Sequence, residues 1–197
     1  PLYLLFHGLN GGSNEEYVKD SVFARNREGS TVCVMIARGL MKTPVENNNF
    51  FHGARLIDVH NVAKAVRKGL GEGQLLIGSG FSMGAIILAN YFASYADDNQ
   101  FDGGITFCGG LDVRTQLQNF RSMRLWQPFL ADELRNNFLH PHKERFLTRL
   151  TEEQFLAAAA SRDVTQFDEN SIIPYHGYNN ILEYERRAER SERRAKR

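Results

Sequence analysis

The sequence predicts an α/β fold, a mostly parallel sheet flanked by helices, and three observations predict it. Four continuous apolar runs rich in Leu, Val, Ile and Phe read as strands buried on both faces. Stretches with apolar residues at helical spacing separate the second run from the third and the third from the fourth. In "LLIGSGFSMGAIILANYF", residues 75–92, an apolar run passes through a glycine cluster around one serine directly into another apolar run, as a strand turning into a helix does.

The first strand is "LYLLF" (Leu2–Phe6), and the second is "TVCVMIA", residues 31–37. Leu56, Val59, Ala63, Val66 and Leu70 then recur on one helical face, with Arg55, Lys64, Arg67 and Lys68 on the others, which makes an amphipathic helix. "QLLIGS", residues 74–79, is the third strand, and the stretch from Met83 to Tyr95 is apolar almost all round, as a helix packed deep against a sheet must be. "GGITFC", residues 103–108, is the fourth strand. Strands alternating with helices imply right-handed crossovers and a parallel sheet covered on both sides. From Gln116 to about Gln166 the strand signals stop, and "LWQPFLADELRNNFL" and "TEEQFLAAAASRD" read as a helical cap or flank over residues 116–166, with Thr151, Glu152 and Glu153 starting one helix. This completes a partial domain over residues 1–184. Residues 185–197 alternate Glu with Arg, contain almost nothing apolar, and read as a charged, solvated tail.

With 197 residues, 42% hydrophobic and 24% charged, the chain is sized and composed for one globular domain. The 24 basic and 23 acidic residues nearly cancel, which argues against nucleic acid and other polyanions as partners. No apolar run approaches the ~20 residues of a membrane span. The chain opens on Pro1, without an initiator methionine or signal peptide, and runs straight into a strand, so a segment of a longer protein is expected. Cys33 and Cys108 lie in apolar, strand-like runs and read as buried reduced thiols. A reducing, cytoplasmic location follows, or membrane association through segments outside this chain.

Two chemistries compete for the glycine cluster. The dinucleotide pattern G-x-G-x-x-G finds Gly78 and Gly80 in "GSGFSM", but Met83 stands where the third glycine would allow close helix packing. Asp97 and Asp98 fall near the distance of a ribose-binding acid, yet acidic residues at a helix end are common. The pattern G-x-S-x-G is met completely by Gly80, Ser82 and Gly84. A sharp strand-to-helix turn strains the serine backbone and crowds the positions two before and two after it, so both must lack a side chain. The Met83 amide, opening the helix, then points toward the oxygen of a carbonyl under attack. The first strand ends in "FHGLNGGS", residues 6–13, where Gly8 and the glycines after it let the backbone approach a substrate, with the Leu9 amide as second oxyanion donor. A glycine-rich turn with His7 bonding loop backbone explains this stretch alone, but not both stretches at the correct interval.

These motifs, "HGLNGGS" with Tyr17, "ARG" at Ala37 to Gly39, the "DV" of the next helix, "GFSMGAIILANY" and "FDENSIIPYHGY", resemble the alpha/beta hydrolases that group bacterial YheT-like esterases with plant embryogenesis-associated and animal abhydrolase-domain proteins. The resemblance covers residues 1 to about 184. It implies a serine hydrolase of carboxylic esters, acylglycerols and other lipid esters included, without metal or cofactor. Ser82 is then the nucleophile, Met83 and Leu9 supply the oxyanion hole, and Phe167, Asp168 and Glu169 are structural. The family's catalytic aspartate and histidine follow two further strands beyond "PYHGY", and its early strands are absent too, so the fold is expected to be incomplete at both ends, with base and acid outside this chain.

Of the histidines in the chain, His7 reads as loop support and His60 as part of the amphipathic helix, while His140 and His142 in "HPH" belong to the helical cap in a surface role. His52 and His176 do not sit at late strand ends either, and Asp112 is the one in-chain acid just beyond a strand's carboxyl end. The competing reading is a noncatalytic hydrolase-like binding module or inactive fragment, in which the elbow persists as a tight turn.

Overall fold

Strands β1 (Leu2–Phe6), β2 (Thr31–Met35), β3 (Leu76–Phe81) and β4 (Gly103–Phe107) form a parallel sheet in the order β2-β1-β3-β4. Helices α1 (Glu16–Arg27), α2 (Leu56–Gly69) and α3 (Met83–Ser94) make the three crossovers. A computed structural model describes residues 1–109 and 120–184, so Asp112 and the charged tail at 185–197 lie outside the described residues. Those residues form two compact units, the sheet unit (residues 1–37 and 53–109) and a helical unit (residues 38–52 and 120–184).

In the sheet unit, Leu4 and Leu5 of β1, Leu76 of β3, Leu56, Val59 and Ala63 of α2, and Leu88 and Tyr91 of α3 are buried almost completely. A Cβ on Gly78 would stand 2.9 Å from Leu88 Cδ1, so the glycine lets α3 lie close on β3. Helix α1 has no counterpart in the sequence reading. Val18 is its only buried residue and charged side chains occupy much of the rest, which leaves no apolar period to find.

A polar clamp ties α2 to the sheet. The Arg67 guanidinium donates to Gln100 O at 2.9 Å and to Asp102 Oδ2 at 2.8 Å, and the same carboxylate oxygen accepts the Leu76 amide at 2.7 Å. The Leu76 amide first, and Arg67 second, hold the Asp102 carboxyl below its ordinary value of 3.8. A lowered folded-state value means that this contribution is complete above the ordinary value and disappears as pH falls through the lowered one. Asp102→Ala is therefore expected to lower the thermal midpoint at neutral pH and to make acid destabilisation shallower below 3.8. Thermal unfolding of both proteins across that range checks it, and parallel curves would count against the clamp.

The helical unit contains α4 (Gln127–Leu134), flanked by π-helical turns Ser122–Trp126 and Arg135–Leu139, then α5 (Lys143–Phe146), α6 (Glu152–Ala159), α7 (Val164–Phe167) and α8 (Ile173–His176). Phe50 is its centre, stacked on Phe146 at 4.4 Å and met by Phe138 and Tyr175 at 5.0 Å each. Thr151 starts α6 through a reciprocal capping box with Gln154. Helices continue past Gln166, and Phe167 is fully buried.

Two expectations need correction. Cys33 is half-buried, but Cys108 is exposed, because the chain leaves β4 through a left-handed backbone (φ +54° at Cys108) and β4 itself is open to solvent from Gly104 to Phe107. His142 has no simple surface role, since its Nε2 donates to Gly39 O at 2.7 Å and its ring packs on Phe50, fastening the 38–52 segment to the helices.

Candidate active site

Ser82 stands between β3 and α3 with φ 51° and ψ −116°, in the left-handed region that non-glycine residues avoid. The conformation is held from both sides. The Ser82 amide donates to Phe107 O at 2.9 Å, and its carbonyl accepts the amides of Ala85 (3.0 Å) and Ile86 (3.1 Å). Crowding at the flanking glycines is severe. A Cβ on Gly80 would lie 2.5 Å from Gly84 O, and one on Gly84 would lie 2.6 Å from His7 O and closer still to Phe6 O. The serine itself is exposed. Met83 occupies the first position of α3, where an amide has no intrahelical acceptor.

Parallel pairing brings the first glycine loop to the same place. Phe6 pairs with Gly80, so the residues after Phe6 run alongside the elbow, and a Cβ on Gly8 would stand 3.3 Å from Ser82 Cβ. Leu9 follows directly. The sheet thus brings together Ser82, Met83, Gly80, Gly84, Gly8 and Leu9, drawn from the ends of two adjacent strands.

His7 supports this loop. Its Nε2 accepts the Ala37 amide at 3.1 Å, which leaves Nδ1–H to donate to Gly8 O at 2.7 Å. Burial pushes the His7 imidazole below its ordinary value and favours this neutral form. The Gly8 carbonyl also accepts the Gly11 amide at 3.1 Å, and the Gly8 amide donates to the Tyr17 hydroxyl at 2.8 Å. The sequence places Tyr17 among the residues of the resemblance without showing this bond. Burial raises its hydroxyl above the ordinary tyrosine value.

The remaining histidines have other surroundings. His60 is buried in α2, stacked on Tyr95 at 4.6 Å, with Nδ1 3.4 Å from the Tyr91 hydroxyl and Nε2 3.7 Å from Asp98 Oδ2. In the helical unit the His52 and His176 rings lie 4.6 Å apart, and the exposed His140 faces the Phe155 ring at 6.1 Å. Among the described residues no group of three or more His, Cys, Asp or Glu gathers as metal ligands, and no helix is long and apolar enough to cross a membrane.

Comparison with known proteins gives a family match, described as alpha/beta hydrolase fold, over residues 1–187. The chain is 26% identical over 194 residues to a monoacylglycerol lipase of Saccharomyces cerevisiae, covering 95% of this chain and 43% of that protein. It is 25% identical over 189 residues to the embryogenesis-associated protein EMB8 of Picea glauca (93% of this chain, 41% of that protein). It is also 25% identical over 206 residues to medium-chain fatty acid ethyl ester synthase/esterase 2 of Saccharomyces cerevisiae (93% and 46%). The chain spans less than half the length of these curated relatives. With the match running over residues 1–187 and the parallel sheet in place, this chain belongs to the alpha/beta hydrolase fold family.

Proposed function

We propose that the full-length protein carrying this chain hydrolyses carboxylic esters, with Ser82 as nucleophile and the amides of Met83 and Leu9 as oxyanion hole. The observation that carries this reading is the strained Ser82 backbone at a strand end, enforced by Gly80 and Gly84, with the Gly8–Leu9 loop against its Cβ. A serine needs no such strain to serve as an ordinary turn residue, and Ser82 is exposed, which supports a hydroxyl held out for reaction.

In the proposed reaction Ser82 Oγ attacks the ester carbonyl carbon and passes its proton to a histidine base. The negative oxygen that forms is met by the two amides, the carbon–oxygen bond to the alcohol breaks, and the alcohol leaves with that proton. Water, deprotonated by the same base, then releases the acid and restores Ser82.

Uncharged acyl esters are the proposed substrate class, lipid esters such as acylglycerols included. The names of the yeast relatives support this class. A pair of backbone amides suits one oxyanion, whereas a phosphate dianion calls for convergent cations. Steady-state turnover of p-nitrophenyl acyl esters by the full-length protein is expected to exceed that of p-nitrophenyl phosphate by at least ~10²-fold. Faster phosphate release would overturn the reading.

A further inference from the structure

We propose that Tyr17 is a positioning residue for ester hydrolysis, aiming the Leu9 amide at the oxyanion by tying the glycine loop to the serine elbow. The inference rests on the function proposed above. Tyr17 opens α1 and touches both halves of the site. Its ring lies on that of Phe81, the residue before Ser82, at 5.0 Å and 47°. Its hydroxyl accepts the Gly8 amide at 2.8 Å. The point where a Gly8 Cβ would stand is 3.3 Å from Ser82 Cβ and 3.4 Å from Tyr17 Oη, so a side chain there would be tight against both.

Peptide planarity turns these contacts into an aiming device. The Gly8 carbonyl and the Leu9 N–H belong to one trans peptide and point in opposite directions. That carbonyl is fixed by His7 Nδ1 at 2.7 Å and the Gly11 amide at 3.1 Å. The preceding peptide, between His7 and Gly8, is fixed by Tyr17. Gly8, the residue with the freest backbone, joins these two planes, so each plane needs its own hydrogen bonds to stay in place. Without the Tyr17 hydroxyl the His7–Gly8 plane loses its anchor, and the loop that carries the Leu9 donor is held beside the elbow only through the Gly8 carbonyl. A donor aimed where charge develops acts on the transition state more than on the bound substrate, so its misdirection lowers kcat rather than raising KM.

The test compares Tyr17→Phe with the unsubstituted full-length protein, measuring kcat, KM and the thermal midpoint, with turnover assayed well below both midpoints. Phenylalanine keeps the ring on Phe81 and removes only the acceptor. The expected result is a kcat lowered by at least about tenfold, short of the ~10²-fold or more that follows loss of a whole oxyanion donor, with KM unchanged within about twofold. Site-specific 3-fluorotyrosine at position 17, which keeps the acceptor, should restore kcat. A purely structural Tyr17 would lower the thermal midpoint and leave kcat untouched, and that result would overturn the proposal. Should Tyr17→Phe fail to fold, Gly8→Ala carries the test. It leaves the hydroxyl in place but sets a Cβ in tight contact with Tyr17 and Ser82, which loosens the hydrogen bond to the Gly8 amide, so kcat is expected to fall at constant KM, and an unchanged kcat overturns the proposal. If the unsubstituted protein shows no Ser82-dependent ester turnover, the proposed function fails, and this inference fails with it.

Discussion

Ser82→Ala in the full-length protein is expected to lower ester turnover by at least ~10³-fold while leaving the thermal midpoint nearly unchanged. Alanine keeps the Cβ, so the left-handed backbone at φ 51° stays as strained as before, and only the nucleophile is lost. Ser82→Gly separates the two effects. It abolishes turnover equally, yet releases strain on the order of 1–2 kcal/mol, so its midpoint should rise above that of Ser82→Ala. A variant more stable and inactive marks a residue kept for chemistry rather than for folding. The same reasoning bears on the 197-residue chain expressed by itself. If the base lies beyond it, turnover should be close to that of Ser82→Ala. Robust Ser82-dependent turnover in the short chain would instead put the base among its own side chains.

Gly80→Val and Gly84→Val are expected to be the most destabilising single changes at the elbow, costing about 3 kcal/mol or more each. At Gly84 the added carbon would meet the carbonyl oxygens of Phe6 and His7. Both are main-chain atoms at the end of a strand paired on both sides, so neither can yield without parting β1 from β3. At Gly80 the added carbon would stand 2.5 Å from Gly84 O and 2.8 Å from Ala85 Cα, so α3 would have to lift off the strand. Thermal unfolding checks this. Midpoints equal to that of the unsubstituted protein would show that the turn is not crowded.

The central strands β1 and β3 were legible in the sequence because burial on both faces writes them as unbroken apolar runs. Leu2–Phe6 coincides with β1, and the helix read from Leu56 onward coincides with α2, whose buried face repeats at helical spacing. The crowding around Ser82 was legible too, since only glycine tolerates it. Helix α1 was not, because one buried valine makes no pattern. The burial of Phe50 also gave no signal, since it comes from Phe138, Phe146 and Tyr175, 88 or more positions away in sequence. Cys108 misled because apolar neighbours suggest burial, whereas exposure at the end of β4 is decided by the strand's position at the sheet edge. Tyr17 stands among the residues that carry the resemblance, but its bond to the loop left no sign, because a hydroxyl that accepts from a backbone amide nine positions earlier has no periodicity to read.

The most direct measurement is covalent labelling of the full-length protein by a fluorophosphonate, with the modified residue located by mass spectrometry. An activated serine attacks the phosphorus and displaces fluoride, whereas an inert turn serine does not. The adduct is expected on Ser82 alone and should vanish in Ser82→Ala. Labelling at another serine, or ester turnover that persists in Ser82→Ala, would contradict Ser82 as the nucleophile.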